Sequence, residues 1–126
     1  MKHGRLKLLF ILVFSLFSFC SFAELIEGKY VKIQILDKIT ANIKNLDIPL
    51  NHTQQHGSLK IEIYMCYKQP PEEIPEDYVL LKIFDTLNDE NRKIYQGWMI
   101  SSSPSATPFE HPIYDVWLKE CVINNS

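Results

Sequence analysis

Serine, histidine and aspartate occur together in the C-terminal part of the chain, where Ser101, Ser102 and Ser103 precede His111 and Asp115. These are the residue types of a hydrolytic triad, in which an aspartate orients a histidine that takes a proton from the serine nucleophile. The chain has no Gly-x-Ser-x-Gly elbow, however, and closeness in sequence does not establish triad geometry. Serines beside prolines are typical turn formers. We therefore predict a loop here and no catalytic residues.

Three histidines offer imidazole nitrogens that could ligate a metal ion. His52 and His56 are four residues apart, which would suit one helical face, but the segment around them is polar and contains Pro49 and Gly57. Zinc sites need convergent ligands and a supporting hydrogen-bonded shell, and the sequence indicates neither around His111. We therefore expect solvated histidines and predict no metal ion and no cofactor.

Acidic side chains are concentrated in a segment braced by three prolines, which contains Glu72, Glu73, Glu76 and Asp77. Such a group could hold calcium or meet a basic partner. The spacing is not that of an EF-hand, and the prolines limit how the carboxylates converge. We predict a solvated loop that protects a sheet edge.

Four large aromatic residues, Trp98, Phe109, Tyr114 and Trp117, lie close together near the C-terminus. In a small domain most of them should fill the core. The alternative is an exposed aromatic platform that binds a sugar.

The N-terminus has the three parts of a secretory signal peptide. Basic residues come first, and residues 8–23 then form an uncharged segment rich in Leu, Phe, Ile and Val. Ser21-Phe22-Ala23 places small residues at the positions that a signal peptidase recognises before Glu24. The alternative is an uncleaved membrane anchor, but the apolar segment is shorter than the roughly 18 residues that a spanning helix needs. We predict a periplasmic protein exported through a cleaved signal peptide.

Cleavage would separate a signal peptide, residues 1–23, from one domain, residues 24–126, without a further membrane span. This domain would carry a net charge of −5, because 3 of the 13 basic residues precede the cleavage point and all 15 acidic residues follow it. An acidic excess without a basic stripe opposes contact with phosphates. We therefore expect no nucleic-acid partner.

Two of the three cysteines, Cys66 and Cys121, would remain after cleavage, since Cys20 lies in the signal segment. Two cysteines allow one intramolecular pairing, and exported compartments are oxidising. A bridge between them could stabilise the fold by roughly 4 kcal/mol according to chain-entropy arguments. A redox-active pair is the alternative, but the spacing is unlike C-x-x-C. We predict a structural Cys66–Cys121 disulfide.

Apolar residues after the signal segment alternate with polar ones, which is typical of half-buried strands. No long stretch has helical periodicity, and turn-forming residues separate the alternating segments. We predict an all-β domain of about six to eight strands, arranged as an antiparallel β-sandwich-like fold or an open barrel. The predicted strands are residues 30–36, 39–48, 59–65, 78–84, 92–100 and 113–121.

Several positions indicate irregularities in these strands. A change of phase in the second strand predicts a bulge near Lys44-Asn45. Residues 49–58 are polar and predict a loop. Cys66 falls on the polar side of its strand, so either the disulfide lies at the strand edge or a distortion turns the thiol inward. Gly97 indicates a bulge or a close backbone approach, and Trp98 is in phase with the apolar residues of its strand.

Several short motifs resemble a known family. Residues 36–41 (LDKITA), 66–73 (CYKQPPEE), 97–99 (GWM), 102–104 (SSP) and 111–117 (HPIYDVW), followed by Cys121, carry the similarity. They are similar to a family of short exported proteobacterial proteins catalogued as a domain of unknown function. The resemblance covers most of the chain after the signal segment. It implies an exported compartment and one domain, and it implies no particular activity.

We expect a non-enzymatic envelope protein that binds an envelope protein or a cell-wall polymer, or that has a structural role. The alternative is a hydrolase or a metal- or ligand-binding protein acting on envelope components. Rigid loops on a sheet lose little entropy on binding, so we expect the partner to contact Phe109, His111, Tyr114 and Asp115, beside the acidic loop at residues 70–77. Phe109 could either cover the core or serve as an exposed anchor.

Overall fold

The structure is a computed structural model that describes residues 7, 9–14, 24–102 and 109–124. Residues 9–14 are helical. Among the described residues, no helix combines the length and the apolar character that crossing a membrane requires. The cleavage before Glu24 and the domain boundaries remain predictions.

Eight β-strands and one short 310 helix are present in the described part of the chain. The strands are β1 (Ile26–Glu27), β2 (Tyr30–Asp37), β3 (Asn42–Pro49), β4 (Thr53–His56), β5 (Leu59–Lys68), β6 (Asp77–Asp85), β7 (Arg92–Ile100) and β8 (Tyr114–Val122), and the 310 helix is Leu87–Asp89.

The strands form two antiparallel sheets that pack against each other. The larger sheet has the order β1-β5-β6-β7, with β4 also paired to β5, and the smaller sheet has the order β3-β2-β8. The prediction of an all-β, sandwich-like fold is confirmed. Inward-pointing side chains of both sheets form one buried core: Val31, Ile33, Ile35, Ile48, Leu59, Ile61, Ile63, Cys66, Val79, Leu81, Ile83, Met99, Val116, Leu118 and Cys121.

The segment after β2 is a turn, so the prediction of a strand from residue 39 was wrong. The Asp37 carboxylate accepts hydrogen bonds from the backbone N–H groups of Ile39 (2.9 Å) and Thr40 (3.1 Å), and Ala41 has a φ of 59°. This side-chain cap reverses the chain direction. Strand β3 then pairs with β2 without interruption, so the bulge predicted near Lys44-Asn45 is absent from this pair.

The predicted loop at residues 49–58 contains strand β4, which is a second correction. Thr53–His56 pairs with the start of β5 through a two-residue turn at Gly57-Ser58. Gly57 has a φ of +56°, and a Cβ there would lie 2.1 Å from the hydroxyl of Tyr114. Polar residues form this strand because it is an exposed edge, where backbone pairing rather than apolar burial holds the chain.

A bulge in β5 decides the orientation of Cys66. The register against β6 shifts between Ile63 and Met65, which leaves Tyr64 without a partner. Met65 therefore points outward and is 42% exposed, while Cys66 points inward and is fully buried. Of the two alternatives left by the sequence, the distortion that turns the thiol inward is the one present.

A second bulge lies in β7 at Ile94, not at Gly97, where the sequence indicated either a bulge or a close backbone approach. Ile83 pairs with Tyr95 and Phe84 pairs with Lys93, so Ile94 is the extra residue. The phase change turns Met99 into the core and Trp98 outward, which corrects the predicted orientation of that strand. Gly97 has a φ of 148°, a conformation that favours glycine.

A disulfide joins Cys66 of β5 to Cys121 of β8 and thus links the two sheets. Both cysteines are fully buried. Gly28, in the segment between β1 and β2, covers the bridge: a Cβ on it would lie 2.1 Å from the sulfur of Cys121 and 2.4 Å from that of Cys66. The N–H of Gly28 donates to the carbonyl of Cys66 (2.9 Å), which holds the cover in place.

Candidate functional site

The residues predicted to contact a partner lie together at one end of the sandwich. Phe109, His111, Tyr114 and Asp115 meet there with Asp85, the last residue of β6. We refer to these five residues as the His111 cluster. Asp85 belongs to the larger sheet, whereas His111 lies three residues before the start of β8 of the smaller sheet, so the cluster bridges the two sheets.

The Asp85 carboxylate is buried and accepts hydrogen bonds from both sides. The backbone N–H of Leu87 donates to it at 3.0 Å, Nε2 of His111 lies 3.0 Å away, and the guanidinium of Arg92 lies at 3.7 Å. The hydrogen bond from Leu87 lowers the pKa of Asp85 most, that from His111 adds to it, and together they outweigh the opposing effect of burial. The site is therefore built for an ionised carboxylate.

Both ring nitrogens of His111 have partners inside the protein. Nδ1 accepts hydrogen bonds from the backbone N–H groups of Ile113 (3.1 Å) and Tyr114 (3.3 Å). Because Nδ1 is the acceptor, the hydrogen of the ring lies on Nε2, which donates to Asp85. A general base needs a free ring nitrogen directed at its substrate. In this geometry the imidazole instead fixes the chain that enters β8.

Aromatic rings surround the imidazole. The ring of Phe109 is parallel to it, with an interplanar angle of 2° and centroids 6.2 Å apart, and the ring of Tyr114 lies at 5.4 Å. Tyr95 of β7 meets Phe109 edge-on at 6.4 Å. Phe109 is half-buried and packs against the core, which is the geometry expected of a cover over the core.

The two tryptophans do not fill the core, contrary to the expectation for most of the C-terminal aromatics. Trp98 is 41% exposed on the outer face of the larger sheet. Trp117 is half-buried and pairs with Gln34 on the outer side of the smaller sheet. In both cases the strand register directs the ring away from the opposite sheet.

Lys38 fixes the outer edge of the His111 cluster. Its ammonium donates to the carbonyl of His111 (2.6 Å) and lies 3.5 Å from the carboxylate of Asp115. Beside Lys38 lies an open groove of about 460 Å³, which is lined by Lys38, Phe109, Glu110, His111, Pro112 and Asp115. Its surface offers one cation, carboxylates and part of an aromatic ring.

The serines named as possible nucleophiles lie elsewhere. The Glu76 carboxylate accepts hydrogen bonds from the hydroxyls of Ser101 (2.9 Å) and Ser102 and from the N–H of Ser102 (3.0 Å). Partial burial raises the pKa of Glu76, but the hydrogen bonds from Ser102, Ser101 and the N–H of Asp77 outweigh it, so the pKa is lowered overall. Ser103 lies outside the described residues.

Opposite ends of β6 separate the serines from the histidine. Ser101 bonds to Asp77, at the start of β6, and His111 bonds to Asp85, at its end. Eight residues of extended strand span about 26 Å. Of the described serines, neither Ser101 nor Ser102 is assembled with His111 as a triad. Phe109, beside His111, does not lie next to the acidic loop, contrary to the prediction.

The other predicted ligand groups are also dispersed. Nδ1 of His52 donates to the carbonyl of Leu50 (2.9 Å), and the ring of His56 meets Tyr114 edge-on at 5.9 Å. In the acidic loop, Asp77 is buried rather than solvated. Within the described ranges, no three His, Cys, Asp or Glu residues are grouped as a metal site would require.

The sequence interpretation did not mention Asp85 and placed Asp77 in a solvated loop, but both aspartates are buried. Asp77 accepts from the N–H of Cys121 (3.0 Å) and from Lys68 (3.4 Å), so it joins the sheets at the end opposite Asp85. Both aspartates are in phase with Val79 and the other inward residues of β6, as the burial pattern shows. A carboxylate on the inward face of a strand requires a buried partner. The alternation of β6 was therefore the sequence signal that could have identified both aspartates as buried.

Two comparisons with known proteins give matches. The family model described as "Uncharacterized protein conserved in bacteria (DUF2155)" matches residues 31–121. An uncharacterized protein of Rickettsia prowazekii (strain Madrid E) is 36% identical over 91 residues, which cover 71% of this chain and 59% of that protein. The chain thus spans less than two thirds of that relative's length. No solved structure shows significant similarity to the chain.

Proposed function

The chain belongs to the family of uncharacterized proteins conserved in bacteria (DUF2155), and we propose that it is a periplasmic protein that binds a component of the cell envelope. Its partner in this proposal is an envelope protein or a cell-wall polymer. The domain acts as a rigid β-sandwich that presents a binding surface, and it does not catalyse a reaction.

The buried Cys66–Cys121 disulfide is the observation that carries the proposed location. Both cysteines are fully buried between the sheets, where they complete the core. Structural disulfides form and persist in oxidising compartments such as the bacterial periplasm. The basic and apolar segment that precedes Glu24 supports the same location, because export through a signal peptide leads there.

The proposed contact surface is the groove of the His111 cluster. His111 itself is buried, so it holds the surface in shape, while Phe109, Glu110 and Asp115 border the groove that a partner would enter. The hydrogen bonds to Asp85 and from Lys38 fix this part of the chain before binding. A preformed surface loses little conformational entropy when the partner binds.

The location is tested by expressing the full chain with a C-terminal tag in its native host and separating the cell compartments. We expect the tagged protein in the periplasmic fraction, with a mass that corresponds to loss of residues 1–23 and with thiols that alkylate only after reduction. Recovery from the cytoplasm with free thiols would contradict the proposal.

The contact surface is tested by photo-crosslinking in the same cells. A photoreactive amino acid replaces Glu110 at the groove, and the control carries it at Asp47, which is exposed on β3. We expect a discrete adduct from position 110 that position 47 does not give. The same crosslinked products from positions 110 and 47 would show that the partner does not bind at the groove.

A further inference from the structure

The outer face of the larger sheet carries an apolar patch near one end of its three longest strands. The register places Tyr67 beside Tyr78 and Tyr78 beside Ile100, and in the next row Leu80 lies between Met65 and Trp98. Trp98 and Met65 are 41% and 42% exposed. We refer to the following six residues as the β5-β6-β7 patch: Met65, Tyr67, Tyr78, Leu80, Trp98 and Ile100.

The two bulges create this patch. The bulge at Tyr64 turns Met65 outward and Cys66 inward. The bulge at Ile94 likewise turns Trp98 outward and Met99 inward. The outward residues then contact one another. The rings of Tyr67 and Trp98 have centroids 6.0 Å apart, and the Tyr67 hydroxyl lies 3.8 Å from the sulfur of Met65.

The composition of the patch is that of an interface core. Tryptophan, tyrosine and methionine are enriched where proteins contact each other, and buried aromatic residues supply most of the binding energy. Contiguous exposed apolar residues on a sheet face favour association with another surface.

Charges are distributed unequally along the strand direction of this face. Lys60, Lys82 and Lys93 lie at one side of the patch, and the first two also lie over the rings of Phe84 (4.6 Å) and Tyr64 (5.2 Å). One acid, Glu62, lies among them. This end of the face is therefore basic.

Acidic residues lie at the opposite border of the patch and in the loop beyond it. Glu27 of β1 pairs with Tyr67 at the border of the patch. The loop that connects β5 to β6 at the same end carries Glu72 and Glu73, both exposed. The apolar patch thus lies between the basic end of the face and an acidic loop beyond its other end.

We propose that two copies of this chain pack these faces together around a two-fold axis, with their strands antiparallel. A two-fold axis in the plane of the interface and perpendicular to the strands places each basic end over the acidic end of the other copy and each apolar patch over its equivalent. A parallel arrangement would instead oppose lysines to lysines. Sheets pack readily face to face when their strands are roughly aligned.

The charge pattern favours a second copy of this chain as the partner of this face, because the face is complementary to itself when the strand direction is reversed. Opposite charges at the rim fix the orientation, while the apolar centre supplies the affinity. The His111 cluster lies away from this face, at the end of the sandwich and between the sheets, so this inference does not depend on the proposed envelope partner.

Sedimentation velocity tests the proposal. The protein is expressed from its full sequence and purified in whatever processed form the cell produces. We expect a dimer that dissociates on dilution, and we expect high salt to weaken it because rim charges are screened. Trp98→Glu should raise the dimer Kd by about 30-fold or more, as loss of a central aromatic contact does. Ile43→Glu is the matched control, since Ile43 is 60% exposed on the smaller sheet, and it should leave the Kd unchanged.

A charge exchange tests the orientation. Lys60→Glu alone should weaken the dimer, and adding Glu72→Lys to the same chain should restore it, because the two-fold axis keeps β5 over β5 and each reversed charge then meets a reversed partner in the other copy. If Trp98→Glu does not fold, as judged by circular dichroism, Met65→Ser replaces it. A monomer at every concentration, equal effects of Trp98→Glu and Ile43→Glu, or no recovery in the double variant would overturn the proposal. Binding of a sugar or of a different protein to this face by a monomer would overturn it too.

Discussion

The imidazole of His111 and the carboxylate of Asp85 form a buried pair that connects the two sheets, with Nε2 3.0 Å from Oδ2. At the other end of β6, Asp77 makes the corresponding connection to the backbone of Cys121. The central strand of the larger sheet is therefore tied to the smaller sheet at both of its ends. Each tie is an inward carboxylate whose hydrogen bonds replace the water lost on burial.

Asp85→Asn should destabilise the fold by about 1–3 kcal/mol at pH 7, because it replaces a hydrogen-bonded buried carboxylate by an amide whose NH2 faces other donors. Asp47→Asn is the control, since Asp47 is exposed on an edge strand. Urea unfolding of both variants measures the difference. Equal stabilities would show that the Asp85 carboxylate contributes nothing.

The same carboxylate should make stability depend on acid pH. Its pKa is lowered in the folded state, so its contribution is fully present above the unfolded pKa of about 4 and is lost as pH falls through the lower folded value. Wild type should thus lose stability below about pH 4 more steeply than Asp85→Asn does. Urea unfolding between pH 2 and 7 tests this, and parallel curves would contradict it.

Phe109→Ala should lower the free energy of unfolding by about 1–2 kcal/mol, less than for a fully buried phenylalanine, because the ring is half-buried against Tyr95 and His111. Ile39→Ala is the control, because Ile39 is 75% exposed in the turn after β2. Chemical denaturation compares the two. A Phe109 variant as stable as wild type would favour the exposed-anchor interpretation instead.

Cys121→Ser should destabilise the protein by about 4 kcal/mol, since it removes the cross-link between the sheets. In wild type, both sulfurs are covered, so a reducing agent should act at the rate of unfolding rather than directly. Thiol labelling after addition of dithiothreitol, with and without mild urea, measures this rate. Rapid labelling of the native protein would contradict the burial of the bridge.

Gly28→Ala should destabilise the fold by about 1–3 kcal/mol, because the new methyl group would enter the space of the two sulfurs. A glycine replaced by alanine where space allows usually stabilises a protein, so the sign of the effect is informative. Glu27→Ala, at the adjacent position, is the control. The melting temperatures of the two variants are compared with that of wild type. An unchanged melting temperature for Gly28→Ala would be inconsistent with the close contact between Gly28 and the disulfide.

Much of the fold followed from the sequence alone. Alternating apolar residues predicted most of the strands correctly, since the side chains of a strand point to opposite faces whatever it pairs with. The short motifs indicated the family, and the two remaining cysteines indicated one pairing. Export, the absence of catalysis and the envelope partner remain predictions.

Only the tertiary structure decided which way the irregular strands face. The bulges at Tyr64 and Ile94 are set by the registers of β5 and β7 against β6, and a shift by one residue exchanges the two faces of a strand. Strand β4 likewise exists because the edge of β5 pairs with it. The pairing of His111 with Asp85 joins residues 26 positions apart, on different sheets. Local periodicity contains no information about such partners, because they are chosen by the packing of one sheet on the other.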